Sequence, residues 1–185
     1  LFASWLNCVQ LSDNIYSDPS HGVAVHLATS LPRAILLSQP IEQHAALKPI
    51  LYAGALLLML LGLAAVVRFA LYPEIKPQAK LNLAFMLGCL APPVVVPHLF
   101  LYALCVSTPM TFLIWGYPES PLPGSDELYR KLKGLVAILW LTVTIYCSAL
   151  LINKHLAQPL VLVSIFAVIY CLAAFSTFKY KTSLN

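Results

Sequence analysis

The chain has 185 residues, 60% of them hydrophobic and only 10% charged, with a net charge of +4 and a mean hydropathy of +0.82. That charged fraction is well under the roughly 25% of soluble globular domains and predicts a membrane protein. The small net charge, with no cluster of Lys and Arg, excludes a nucleic-acid partner.

Residues 1–48 are too apolar for a solvated tail and too short for a core of their own, so they predict an N-terminal extramembrane segment lying on the bilayer surface or a neighbour. Within it Pro32 and Pro40 divide short apolar pieces from a helix-like IEQHAALK. The chain begins at Leu1, which favours a processed protein whose targeting segment has been removed.

A bilayer-spanning helix needs about 20 predominantly apolar residues, and four stretches qualify. Residues 49–72 form the first, opened by Pro49 and closed by Arg68 and Tyr72, expected anchors at the membrane interface. Gly54 and Gly62 mark a helix-packing face on it. The second, residues 81–106, contains APPVVVPHLF. Pro92, Pro93 and Pro97 each remove a backbone donor, so this span is expected to kink or break. His98 beside the break is a candidate ligand for haem or chlorophyll, yet no second buried histidine accompanies it.

A long connection follows, with Trp115 and Tyr117 suited to the interface and Pro118, Pro121 and Pro123 resisting regular structure. Ser125 and Asp126 can cap a helix over DELYRKLK. Residues 134–152 are the third span and 157–178 the fourth, which Lys179 anchors at the start of a short basic tail, 179–185. Ser164, Ala167, Cys171 and Ala174 recur every three or four residues along the fourth span and predict a seam where another backbone approaches closely. The fold class is thus an all-α integral membrane protein, a bundle of four transmembrane helices over residues 49–178.

Lys and Arg number seven in the N-terminal segment, long loop and tail (Arg33, Lys48, Arg130, Lys131, Lys133, Lys179, Lys181), against four (Arg68, Lys76, Lys80, Lys154) on the other side. The positive-inside rule then places both termini on the matrix or stromal side, in the mitochondrial inner membrane or alternatively the thylakoid.

Chemistry-bearing patterns are sparse. All seven carboxylates lie outside the spans, which argues against a proton-coupled carrier. Neither a GxSxG elbow nor an HExxH helix appears, and no glycine-rich phosphate loop. His21 and His26 are five apart, a poor spacing for a metal site on one helical face. The five cysteines form no CxxC and read as reduced packing residues. These features predict no enzyme. They predict an accessory or assembly subunit of a respiratory or photosynthetic complex, with other membrane subunits and lipids as partners and no cofactor beyond bound lipid. A haem- or chlorophyll-binding subunit using His98, and a small-molecule channel through the broken second span, are the alternatives.

Overall fold

The computed structural model describes residues 7, 30–73, 75, 77–96, 126–153 and 158–179. These form five helices: α1 (Leu31–Leu37), α2 (Ile41–Ala70), α3 (Pro77–Val95), α4 (Asp126–Ile152) and α5 (Pro159–Lys179). The described residues contain no strand. Four of the helices are long and apolar enough to cross a bilayer, as in an integral multi-pass membrane protein.

Helix starts follow proline. Pro40 is the N-cap of α2, Pro77 and Pro159 are the first residues of α3 and α5, and Pro32 sits in the first turn of α1. A proline there gives up a donor that has no helical partner in any case. Two boundaries differ from the expected ones. IEQHAALK is continuous with the first span, so α2 begins at Ile41 and carries Pro49 inside it. Pro49 cannot donate to the carbonyl of Ala45, but Ala45 is exposed, and an exposed carbonyl can find another partner. Likewise DELYRKLK does not end before the third span; α4 runs unbroken from Asp126 through Gly134.

At the end of α2 the Leu71 amide donates to the carbonyls of Val67 (3.1 Å) and Arg68 (3.2 Å), and the Lys80 ammonium donates to the carbonyl of Ala70 at 2.8 Å. A lysine at the negative end of a helix satisfies a carbonyl that the helix leaves over. The bond also ties α3 back against the end of α2, so the two form an antiparallel hairpin through the short turn that contains buried Ile75.

α5 is the central post. Leu162, Phe166, Ile169, Tyr170, Ala173 and Ala174 are all buried, and each of the other helices packs on it. α2, by contrast, buries only Ala55, Gly62, Ala65 and Phe69 across its thirty residues.

The direction of α2 against α5 follows from three contacts. The Tyr170 hydroxyl donates to the carbonyl of Leu58 at 2.8 Å, the Arg68 Nε donates to the carbonyl of Thr177 at 3.4 Å, and the Arg68 guanidinium lies 5.6 Å from the Phe178 ring centre. Residue numbers rise together along both helices, so α2 and α5 run parallel. The start of α2 and the end of α5 therefore lie at opposite ends of the bundle. Four alternating spans would make the first and last antiparallel, and the expectation of both flanks on one side depended on that alternation.

Candidate functional site

The sites expected from sequence fall into three groups. Pro92 and Pro93 lie in the last turn of α3, which ends at Val95 with the Val96 amide donating to the carbonyl of Pro92 at 3.1 Å. Helix geometry thus continues through the pair. Pro97, His98, Trp115 and Tyr117 lie outside the described residues, and so does the side chain of Lys179, the last residue of α5.

The small-residue positions separate. Gly62 is buried against α5: a Cβ there would stand 2.9 Å from the Tyr170 Cζ and nearer still to its hydroxyl oxygen. A side chain at this position would displace the end of the Tyr170 ring, which occupies its space. Gly54 has no atom within 4 Å of its Cβ position and faces a groove instead. On α5, Ala174 is fully buried, Ala167 and Cys171 pack on the core, and Ser164 lines a groove of about 510 Å³ against Leu135 and Ile138 of α4. Cys89, Cys147 and Cys171 form no disulfide among the described residues.

Arg68 and Tyr72 meet as a cluster at the end of α2. The guanidinium is 5.5 Å from the Tyr72 ring centre and a similar distance from Phe178, and its Nε bond to Thr177 covers a terminal carbonyl of α5. Aromatic faces attract a guanidinium electrostatically, so both rings and the helix end hold this cation in one place.

Polar groups within the spans are satisfied locally. Thr142 and Thr144 donate to the carbonyls of Ile138 and Trp140, and Ser176 and Thr177 to those of Ala173 and Ala174, at 2.6 to 2.9 Å. The Gln78 amide donates to the Asn82 Oδ1 at 2.9 Å. Among the described residues no buried side-chain nitrogen or oxygen is left without a partner. Such bonding suits helices in hydrocarbon.

The second cluster was not legible in the sequence. α1 packs beside the first half of α2 and places Arg33 in the interior, only 4% exposed. Burial pulls its pKa below the ordinary guanidinium value, an effect that Tyr52 opposes in part. The Lys48 ammonium is 5.9 Å from the centre of the same tyrosine ring. Next to these residues an apolar groove of about 430 Å³ runs between α1 and α2, lined by Leu31, Ile35, Leu51, Gly54 and Leu58, with Val94 of α3 at its side.

No family model, curated protein or solved structure matches the chain.

Proposed function

We propose that the chain is a non-catalytic accessory or assembly subunit of a multi-subunit membrane complex, an energy-transducing complex of an organelle inner membrane, mitochondrial in first place and thylakoid as the alternative. The observation that carries this reading is the outward face of the two peripheral helices. On α2, Leu56, Leu57, Leu60, Leu63 and Val67 are all 48% exposed or more, and on α4 Ile138, Leu141 and Ile145 exceed 50%. These faces are mainly aliphatic, with Thr144 and Ser148 exposed beside the large side chains of α4, and they are long enough to seat neighbouring helices along a whole span. Local hydrogen bonding of the Thr142, Thr144, Ser176 and Thr177 hydroxyls to carbonyls of their own helices is consistent with the same reading.

Photo-crosslinking residues at Leu60 and Leu141, introduced into the full chain in its own membrane, test the proposal. The expected products are discrete protein adducts from both positions within one larger assembly on a native gel, with none from buried Ala65. Adducts to lipid alone, from a chain that migrates as a monomer after gentle extraction, would overturn it. Subcellular fractionation decides the membrane.

A further inference from the structure

Lys48 is the last charged residue before α2 becomes apolar, and the groove between α1 and α2 opens within one turn of it. Its α2 wall extends from Ile50 to Leu61. Eleven steps of helix cover about 16 Å at 1.5 Å per residue. Half of a 30 Å hydrocarbon core is about 15 Å. The groove therefore reaches as deep as one leaflet, starting where the headgroups begin.

Its floor is open at Gly54, where a Cβ would meet nothing within 4 Å. A groove of about 430 Å³ spread over this length is narrow, a shape that suits one extended hydrocarbon chain. Near the start of this wall the Lys48 ammonium stands 5.9 Å from the centre of the Tyr52 ring, and Arg33, buried in α1, carries a second positive charge on the other helix of the groove.

We propose that this groove holds one acyl chain of an anionic phospholipid, with the phosphate against Lys48 and Arg33 supplying a second positive charge behind it. The apolar wall accepts the chain of any lipid; the two cations select the headgroup. A zwitterionic lipid brings its own cation to the site, which Lys48 and Arg33 repel, whereas a phosphatidylglycerol-type headgroup brings only negative charge. The proposal stands whether or not the chain has protein neighbours.

The test uses the full chain in phosphatidylcholine nanodiscs carrying a minority of spin-labelled phosphatidylglycerol or spin-labelled phosphatidylcholine, with motionally restricted lipid measured by electron paramagnetic resonance. The restricted population should favour phosphatidylglycerol. Lys48→Gln should reduce that preference roughly fivefold, the worth of one cation near an anionic headgroup, and Lys48→Arg should keep it. Gly54→Leu, which fills the floor without touching the cations, should release restricted lipid of both kinds. Equal restriction of the two lipids, a preference that survives Lys48→Gln, or a restricted fraction unchanged in Gly54→Leu would each overturn the proposal. So would loss of preference in Lys48→Arg at unchanged helical content.

Discussion

The crossing of α2 and α5 at Gly62 and Tyr170 lends itself to a double-mutant cycle. Gly62→Ala drives a methyl against the tyrosine, where the Cζ is 2.9 Å from the Cβ position. Overpacking costs typically 1–3 kcal/mol, and the better helix propensity of alanine returns about 1 kcal/mol. The net loss expected is about 1 kcal/mol. Tyr170→Phe removes the hydroxyl that donates to the Leu58 carbonyl at 2.8 Å. Hydrogen bonds between membrane helices average about 0.6 kcal/mol, and the Leu58 carbonyl keeps its helical partner, the Gly62 amide. If the two changes were independent, the double variant would lose about 1.6 kcal/mol, the sum of these two losses. They are not independent: without its hydroxyl the ring is both shorter and untethered, so it can yield to the methyl. The double variant should then lose no more than Tyr170→Phe alone, a coupling of about 1 kcal/mol. Reversible unfolding in mixed micelles by a denaturing detergent measures all four corners of the cycle. Additivity within about 0.5 kcal/mol would refute the close approach on which the packing of these two helices is argued.

Three further outcomes are expected. In a cysteine-free background, a membrane-impermeant maleimide should label Lys80→Cys and Phe178→Cys from one side of the bilayer and Glu42→Cys from the other; labelling of Glu42→Cys and Phe178→Cys from the same side would refute the parallel α2 and α5. Arg68→Ala should destabilise by about 1 kcal/mol in the same unfolding assay, since it removes two cation–π contacts and a bond to a helix end, each of modest worth at a partly exposed position. Arg68→Lys should recover only part of this, because an ammonium lacks the planar face that stacks on Tyr72 and Phe178. Thr177→Val, although fully buried, should cost less than 1 kcal/mol: its hydroxyl bonds the Ala174 carbonyl of its own helix and holds no other element in place.

Hydropathy made the four long apolar helices legible, because nothing but a bilayer or a crowded bundle accommodates runs such as residues 49–72. The same signal misplaced their beginnings. Polarity changes at Lys48 and Lys133, but the backbone bonds of α2 and α4 run straight through those points, since a helix ends where its hydrogen bonds end and not where its side chains become polar. Pro49 was a plausible start only until Pro40, nine residues earlier, is seen to occupy the cap. Counting cations by side carried an assumption of four alternating spans, and the contacts of Tyr170 and Arg68 are long-range facts that no local pattern encodes. Arg33 was unreadable for a different reason: a charged residue in a short helix is expected at the surface, and only the packing of α1 on α2 takes it inside.

The harder distinction was which helix stands at the centre, and here composition says more than hydropathy. Lipid tails are as apolar as leucine, so an apolar face alone does not tell a neighbour from a bilayer. Small residues do, because they gain nothing from lipid but let a backbone come close. α5 carries Ser164, Ala167, Cys171, Ala173, Ala174 and Ser176, and it is the helix on which all others pack. The outer face of α2 is instead Leu56, Leu57, Leu60, Leu63 and Val67, large side chains that cover a surface without drawing a backbone to it. Gly62, which faces α5 from α2, sits against the Tyr170 side chain, while Gly54, two turns earlier, faces open space in the groove beside Lys48. Two glycines eight residues apart thus serve opposite ends: one is empty so that a tyrosine can fill it, and the other leaves room for something the chain itself does not supply.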